Sequence, residues 1–316
     1  MTRCLVTGVA GFIGSHIAET LVNKGNYVVG IDSFTDYYDE KIKQENLSSL
    51  TQDKRFRLVK KDIVNFNLKK ILRKVEYVFH EAAQPGVRSS WGTNFQVYLR
   101  NNVLATQRLL EALKSIALKK FIFASSSSIY GDSEDSILSE TTIPHPISPY
   151  GATKLAAEKL CYLYNKNYGI PIITLRYFTV YGPRQRPDMA FHKFIKAMLK
   201  DDEIEIFGDG NQLRDFTHVN DVVDANIAAA ETDIDWGIFN IGSGTQISIN
   251  KVIDVIGEIL DVEPEVKYTE KVEGDMRQTL ADIKRASSSL GYRPSISLSD
   301  GLKLQIQSIK NRSNLS

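Results

Sequence analysis

Short apolar segments alternate with longer amphipathic segments over the first part of the chain. Each apolar segment has the length of a strand and is bounded by polar residues or glycine, as expected for buried strands. These segments are residues 3–7, 27–31, 56–60, 76–80, 120–124 and 171–176. The two most prominent amphipathic segments, 95–115 and 150–168, predict helices. Because strands that alternate with helices are typical of parallel sheets, we predict an α/β fold with a doubly wound parallel sheet.

The pattern changes after Gly182, where prolines and short helical segments replace the regular alternation. Pro183 and Pro187 interrupt the chain, a short strand is predicted near Glu205, and a terminal helix is predicted from about residue 299. We interpret residues 183–316 as a smaller C-terminal α/β lobe that binds substrate and is partly interleaved with a first domain, 1–182. Residues 310–316 are predicted to form a loose tail.

The first predicted strand leads into a glycine-rich turn that contains Gly8, Gly11 and Gly14. As strand, turn and helix, this segment places backbone N–H groups and a helix N-terminus where a pyrophosphate can bind. Gly8 permits the tight turn, Gly11 the close approach of phosphate, and Gly14 the close packing of helix on strand. The second strand ends at Asp32, whose carboxylate can accept from ribose hydroxyls and repels a 2′-phosphate. The sequence therefore predicts a Rossmann-type domain that binds NAD in preference to NADP.

Tyr150 and Lys154 stand four residues apart in a predicted helix, so the phenol and the ammonium share one helix face. A free tyrosine has a pKa of about 10 and is a poor base at neutral pH, but a neighbouring cation favours its phenolate. Ser126, in the serine cluster that follows the fifth strand, can hydrogen-bond the same oxygen. Taken alone the pair could be a surface ion pair; beside a dinucleotide loop and Ser126 it predicts hydride chemistry at a carbinol.

Composition and charge agree with a soluble enzyme. A chain of 316 residues with a net charge of +1 gives no electrostatic basis for binding nucleic acid or an anionic membrane. Cys4 and Cys161 look like small core residues, which fits a reducing compartment. No apolar membrane span or signal peptide is recognised, so we expect a cytoplasmic protein. The histidines lack short-range ligand spacing, and no metal site is predicted.

A series of motifs in order along the chain resembles the extended short-chain dehydrogenase/reductase superfamily, in its nucleotide-sugar epimerase and dehydratase branch. The motifs are 7–14, 80–83, 101–103, Ser126 with 130–131, Tyr150 with Lys154, 176–178 and 214–219. The resemblance implies tightly held NAD, a nucleoside-diphosphate sugar as substrate and oxidation at the sugar C4. It also implies a homodimer formed through the two long helices.

The family pattern further implies a role for each matching residue. Tyr150 takes the proton of the 4-hydroxyl, Lys154 holds the phenolate and the nicotinamide ribose, and Ser126 bonds the same oxygen. The implied cofactor contacts are Gly8, Gly11, Phe12, Ile13, Gly14, Asp32, Asp62, Ile63, Ala82, Ala83, Asn102, Tyr150, Lys154 and Tyr177. The implied substrate contacts are Arg88, Ser127, Ser128, Thr179, Arg186, Met189, Phe207, Arg214, Asp275 and Arg277.

Two segments bear on which reaction follows the oxidation. Where the 4,6-dehydratases carry an Asp-Glu pair and the UDP-xylose-forming decarboxylases a Glu, this chain has Ser127 and Ser128, which cannot serve as carboxylate acids or bases. Elimination and decarboxylation are therefore disfavoured. C4 epimerisation through a transient 4-keto sugar remains.

Segments 85–91 and 182–190 are similar to the corresponding stretches of UDP-glucuronate 4-epimerases, and Thr179 stands where glucose-type epimerases tend to have Asn. Arg186 is expected to bind the C6 carboxylate bidentately, with Ser127 and Ser128 as further donors. Alternatively, Arg184 and Arg186 are solvated surface charges or bind phosphate. The other functions left open are a 4-epimerase of neutral UDP-sugars such as UDP-glucose or UDP-N-acetylglucosamine, a UDP-glucuronate decarboxylase, and a non-catalytic NAD-binding regulator.

Overall fold

A seven-stranded parallel sheet forms the centre of the protein, which we describe from a computed structural model over residues 1–133, 135–270 and 276–313. The strands in chain order are β1 Arg3–Thr7, β2 Tyr27–Asp32, β3 Phe56–Lys60, β4 Tyr77–His80, β5 Lys120–Ser126, β6 Ile172–Tyr177, β7 Thr179–Tyr181, β8 Ile204–Phe207, β9 Leu213–Arg214, β10 Phe216–His218, β11 Trp236–Ile241, β12 Ile247–Ser248 and β13 Val266–Thr269. The order across the central sheet is β11-β6-β5-β4-β1-β2-β3. Small pairs form between β7 and β10, β9 and β12, and β8 and β13.

Helices connect the strands and cover the sheet. They are α1 Phe12–Asn23, α2 Glu40–Asn46, α3 Lys69–Leu72, α4 Phe95–Tyr98, α5 Ala105–Leu113, α6 Pro149–Tyr168, α7 Ala190–Lys200, α8 Val219–Glu231, α9 Ile249–Leu260, α10 Lys284–Leu290 and α11 Leu298–Ser313, with a π-helical stretch at Leu99–Leu104 and 3₁₀ turns at Leu50–Gln52, Arg88–Ser90, Gly92–Asn94 and Ser127–Ile129. Within the described ranges, we find no helix whose length and hydropathy would let it cross a membrane.

Successive residues of the strands enter two different hydrophobic cores. Leu5 and Phe121 belong to the core beneath α5 and α6, whereas Val6 and Ile122 belong to the core beneath α1 and α8. This period of two explains why the inner strands carry apolar residues on both faces. The predicted α/β class and doubly wound parallel sheet are confirmed.

Residues after β7 build a smaller lobe with its own core. Phe194 of α7, Ile253 of α9 and Ile306 of α11 pack together, and β8 pairs in parallel with β13 at the edge of this lobe. The chain also returns to the central sheet, because β11 pairs with β6 and α8 covers the face shared with α1. Thus residues well beyond 182 are part of the central sheet.

Two local predictions are corrected. The segment expected as one helix over 95–115 is divided by the π-helical stretch, and α5 ends at Leu113. The loose tail expected from residue 310 is wrong over its first residues, because α11 continues to Ser313 and the Arg312 guanidinium donates to the Asn46 side chain at 2.6 Å. This contact ties the end of α11 to α2, which explains why the helix continues beyond residue 310.

Candidate active site

The glycine-rich turn between β1 and α1 fits tightly against the loop that follows β4. Gly8 has a φ of 65°, and a Cβ there would lie 2.8 Å from the Ala82 backbone. A Cβ on Gly14 would lie 2.3 Å from the Gly8 carbonyl oxygen. The N-cap of α1 is Gly11, which has no side chain to satisfy the first N–H groups of the helix. The turn therefore presents free backbone donors to an anion and leaves no room for larger residues.

Asp32, at the end of β2, holds the turn in place. Its two carboxylate oxygens accept from the backbone N–H groups of Ala10 at 3.0 Å and Phe34 at 2.8 Å. Burial raises the pKa of Asp32, and these hydrogen bonds act against the rise. Beside the next strand, Asp62 accepts from the Val64 N–H at 2.9 Å and pairs with Arg100.

One cavity joins the turn to the end of the central strands. Every predicted cofactor residue except Asn102 lines this cavity, and Arg186 lines it as well; these cofactor residues are Gly8, Gly11, Phe12, Ile13, Gly14, Asp32, Asp62, Ile63, Ala82, Ala83, Tyr150, Lys154 and Tyr177. Asn102 is buried behind the wall, and its neighbour Asn101 lies in the wall instead.

The side chain of Asn102 connects the loop after β4 to α6. It accepts from the Gln84 N–H at 2.6 Å and donates to the Thr153 hydroxyl at 3.0 Å. Thr153 in turn donates to the Tyr150 carbonyl at 2.8 Å. The structure thus gives Asn102 a supporting position between the loop after β4 and the first turn of α6.

Tyr150 and Lys154 lie on one face at the start of α6, as predicted. The Ser148 hydroxyl caps the helix by accepting from the Gly151 N–H at 3.1 Å, and Pro149 occupies the first turn. The Lys154 ammonium is buried, donates to the Ala124 carbonyl and lies 4.6 Å from the centroid of the Phe123 ring. Burial lowers the pKa of Lys154 to about 8.

The electrostatic environment of Tyr150 differs from the prediction. Burial raises its pKa; a hydrogen bond with Ser126 and then the positive charge of Arg186 act against this rise. Arg186 is thus one cation that favours the phenolate, and the Lys154 ammonium donates to the Ala124 carbonyl. Helical spacing placed the ammonium on the correct face but could not show which acceptor it would choose.

Arg184 and Arg186 have different environments. Arg184, with a φ of 65°, pairs with Glu19 of α1 at 2.8 Å, so it anchors its loop to the first helix. Arg186 lines the cavity and pairs with Asp188 through Nε at 2.9 Å and Nη2 at 3.0 Å. Two bonds to one carboxylate use one edge of the guanidinium, and its other edge has the geometry for a second carboxylate.

Of the predicted substrate residues that the structure describes, only Arg186 lines the cavity, and the others lie on several elements outside its lining. Ser127 and Ser128 form the 3₁₀ turn after β5, Thr179 begins β7, and Met189 is the N-cap of α7. The Arg88 guanidinium stacks over the Phe207 ring, 4.2 Å from its centroid. This stack joins the loop after β4 to the smaller lobe.

In the smaller lobe, backbone carbonyls hold the Arg214 guanidinium. Arg214 donates to the carbonyl of Leu213 at 2.9 Å, to the carbonyl of Arg277 at 3.2 Å and to the carbonyl of Met276. The segments of Arg214 and Arg277 are therefore in contact. Asp275, predicted to bind the substrate, lies outside the described residues.

Sequence reasoning missed a buried relay behind the glycine turn. The Thr7 hydroxyl accepts from the Ala82 N–H at 3.1 Å and bonds His80 Nδ1 at 2.8 Å, and His80 Nε2 bonds the Thr106 hydroxyl at 2.9 Å. Thr106 donates to the Asn102 carbonyl at 2.6 Å, so it accepts from the imidazole. Burial lowers the pKa of His80 to about 3, which keeps the ring neutral.

Comparisons with known proteins agree with this geometry. A family model described as "NAD dependent epimerase/dehydratase family" matches residues 4–242. The chain is 45% identical over 306 residues to the "Uncharacterized UDP-glucose epimerase YtcB" of Bacillus subtilis, covering 96% of each chain. It is 40% identical over 303 residues to the UDP-glucuronate 4-epimerase of Thermodesulfobacterium geofontis, covering 95% of this chain and 93% of the relative. The crystal structure of the UDP-glucuronic acid 4-epimerase of Bacillus cereus with UDP-glucuronic acid and NAD has a TM-score of 0.96, with 48% identity, 98% of this chain and 100% of that chain covered.

Proposed function

The chain belongs to the NAD dependent epimerase/dehydratase family, and from this premise we propose that it interconverts UDP-glucuronate and UDP-galacturonate as an NAD-dependent 4-epimerase. The observation that carries the proposal is the shared cavity, which both Tyr150 and Arg186 line. A base for the 4-hydroxyl and a cation for the C6 carboxylate are thus available to the same sugar.

The residues present fit NAD. The turn at Gly8, Gly11 and Gly14 is a cradle that any Cβ at Gly8 or Gly14 would fill, and the N-terminus of α1 can receive the pyrophosphate. Asp32 lines the cavity at the end of β2, where its negative charge favours NAD over NADP. When bound, NAD would supply reversible hydride acceptance at the sugar C4.

Tyr150 is the proposed base. Its phenolate takes the proton of the 4-hydroxyl, Ser126 steadies that oxygen by a hydrogen bond, and Lys154 supplies a buried positive charge one helical turn away. The keto sugar turns in the cavity so that C4 presents its opposite face for reduction, and Tyr150 then returns the proton to the O4 oxygen. The reaction consumes no reductant, because every group that changes state is restored.

Arg186 is the proposed partner of the C6 carboxylate, with Ser127, Ser128 and Thr179 as further donors. Asp188 fixes one edge of the guanidinium, so its other edge can be aimed at the substrate. A C4 ketone of a glucuronate is a β-keto acid, and loss of carbon dioxide requires the carboxylate to give up its charge. A cationic partner stabilises that charge and thereby opposes decarboxylation.

The nucleotide is proposed to lie against the smaller lobe. Arg214 and Arg277 supply positive charge for the diphosphate, and the stack of Arg88 on Phe207 offers a planar surface beside the base. Asp275 and Met189 remain proposed substrate contacts. In this arrangement residues 1–182 form the cofactor domain and residues 183–316 the substrate lobe, with β11 and α8 returned to the central sheet.

We also propose that the protein is a cytoplasmic homodimer formed through the two long helical segments. Their exposed surface carries large apolar side chains, as expected for a subunit interface. These side chains are Phe95, Val97, Leu99, Leu104, Tyr162, Leu163 and Tyr168. Sedimentation equilibrium of the wild-type and a Leu99→Glu/Leu163→Glu variant tests this: the variant should sediment as a monomer.

A proton NMR time course with purified protein and UDP-glucuronate, without added reductant, tests the proposed reaction. UDP-galacturonate as the sole product supports it, and formation of a UDP-pentose contradicts the proposed role of Arg186. The second candidate function is 4-epimerisation of neutral UDP-sugars. It is supported by the similarity to the Bacillus subtilis relative, which is described as a UDP-glucose epimerase. Turnover of UDP-glucose but not of UDP-glucuronate would replace the first proposal by the second.

A further inference from the structure

An acid in the cavity wall has no role in the reaction proposed above. Glu81 follows His80, the last residue of β4, and lines the cavity together with Tyr150 and Lys154. Burial raises the pKa of Glu81 to about 7. Ionisable groups in such surroundings are costly to keep and cluster at functional sites, so Glu81 is a candidate for a function.

The register of the sheet places Glu81 beside the residue that holds Lys154. β4 and β5 are parallel with His80 opposite Phe123, so the next positions along the two strands belong to Glu81 and Ala124. The Lys154 ammonium donates to the Ala124 carbonyl. Glu81 and Lys154 interact electrostatically, each favouring the charged form of the other. Glu81, which follows β4, and the Lys154 ammonium of α6 therefore face the same cavity near the end of β5.

A chain of donors favours the ionised form of Glu81. The Tyr177 hydroxyl donates to Glu81 Oε1 at 3.0 Å. The Asn226 amide donates to that hydroxyl at 2.7 Å and to the Val222 carbonyl at 2.8 Å. Because the amide supplies the donors, the Tyr177 proton is directed to Glu81, and an acceptor-only carboxylate satisfies this arrangement.

We propose that Glu81 is a positioning residue that keeps Lys154 protonated and holds its ammonium at the end of β5. Among the groups that oppose the effect of burial on Lys154, Glu81 has the largest influence. This inference rests on the proposed function only in taking Lys154 as a buried positive charge that the active site needs one helical turn from Tyr150.

The other ionisable groups around Lys154 cannot replace Glu81. Glu158 of α6 is committed to Arg176, with the two charged groups 2.5 Å apart. Burial raises the pKa of the Cys161 thiol and lowers that of His80 to about 3, so both are neutral near pH 7. Glu81 is thus the carboxylate available to balance the ammonium.

The test is Glu81→Gln, which keeps the acceptor for Tyr177 and removes the negative charge. The titration midpoint of Lys154 is expected to fall by about one pH unit, as for loss of a close opposite charge. It is followed by NMR of protein labelled with ¹³C at the lysine ε-carbon, and the resonance is identified by its loss in Lys154→Met. In the same variant, the alkaline limb of kcat/KM against pH should move to lower pH by a similar amount.

Two further variants separate this role from a structural one. Asp221→Asn removes another carboxylate whose pKa is raised by burial, one that accepts from the Ser295 N–H at 2.9 Å, and should leave the Lys154 midpoint unchanged. Tyr177→Phe removes the donor to Glu81, makes the carboxylate harder to form and should shift the Lys154 midpoint in the same direction by less. It serves as the test if Glu81→Gln does not fold.

A folded Glu81→Gln variant with an unchanged Lys154 midpoint would overturn the inference. If the midpoint shifts but the wild-type protein does not epimerise any UDP-sugar, the proposed function fails and the pairing of Glu81 with Lys154 stands. If the wild-type protein is active and the Lys154 midpoint does not move in Glu81→Gln, the proposed function stands and the pairing of Glu81 with Lys154 fails.

Discussion

Replacing Glu158 by Gln is expected to lower the free energy of unfolding by about 3–5 kcal/mol, the usual cost of breaking a buried ion pair from one side. Arg176 Nη2 lies 2.5 Å from Glu158 Oε1, and the two side chains are only 3% and 1% exposed. Glutamine keeps the size of the side chain but leaves the guanidinium without its counter-charge. The cost therefore arises from a buried, uncompensated cation and not from a cavity.

The other side chains that hydrogen-bond this ion pair carry no charge. Arg176 Nη1 donates to the Tyr130 hydroxyl at 2.8 Å, and this hydroxyl donates to Asn240 Oδ1 at 2.6 Å. The Ser125 hydroxyl donates to Glu158 Oε2 at 2.9 Å. All of these groups are neutral. Ser125 directly precedes Ser126, the proposed active-site serine, in β5. Loss of the Glu158 carboxylate is therefore also expected to lower kcat.

Guanidinium-induced unfolding of Glu158→Gln and a matched control measures the effect. The control is Glu40→Gln, which breaks an ion pair of the same 2.5 Å length to Lys60, with side chains 43% and 54% exposed. Exposed pairs contribute little, so the control should unfold at nearly the wild-type denaturant concentration. Equal shifts of the two midpoints, or no shift in Glu158→Gln, would refute the argument from burial.

Three further changes test the site. Arg186→Ala should raise KM for UDP-glucuronate about tenfold or more, since a hydrogen bond to a charged group is worth about 1.5–3 kcal/mol. The variant should also release UDP-pentose, which NMR detects. The control Arg184→Ala should release none, and equal amounts of pentose from both variants would contradict the role assigned to Arg186. Asp188→Asn removes negative charge beside Arg186, so the Tyr150 pKa should fall and the acid limb of kcat should move to lower pH; an upward shift would contradict this electrostatic coupling. Gly14→Ala places a Cβ 2.3 Å from a backbone oxygen, so NAD affinity measured by calorimetry should fall about tenfold or more, and wild-type affinity would rule out the tight cradle.

Strands with a strong local signal could be predicted from the sequence. The apolar segments 3–7 and 56–60 coincide with β1 inside the sheet and β3 at its edge, because each is a short segment bounded by polar residues or glycine. β11 was missed, since its place beside β6 depends on a contact between distant parts of the chain that no local pattern encodes. The π-helical stretch Leu99–Leu104 was also missed, because its side chains follow nearly the same pattern as those of an α-helix.

For the candidate site, the sequence predicted which side chains lie close together. It did not predict the hydrogen-bond partner of each side chain. Spacing placed Tyr150 and Lys154 on one face, but the acceptor of the ammonium is a carbonyl of another strand. Arg184 and Arg186 are the same residue type two positions apart. Their backbone conformations and their partners, Glu19 and Asp188, distinguish them in the structure. Glu81 follows a buried strand at the edge where ligands of such sheets bind, but no local pattern shows that its carboxylate accepts from Tyr177.

The most direct test of the account uses UDP-glucuronate carrying deuterium at C4. Purified protein is incubated with this substrate without added reductant, and the product is examined by proton and deuterium NMR. The account predicts UDP-galacturonate with the deuterium retained at C4, because the same carbon is oxidised and reduced within one closed site. UDP-galacturonate that has lost the label, or a failure to form it from UDP-glucuronate, would contradict the account.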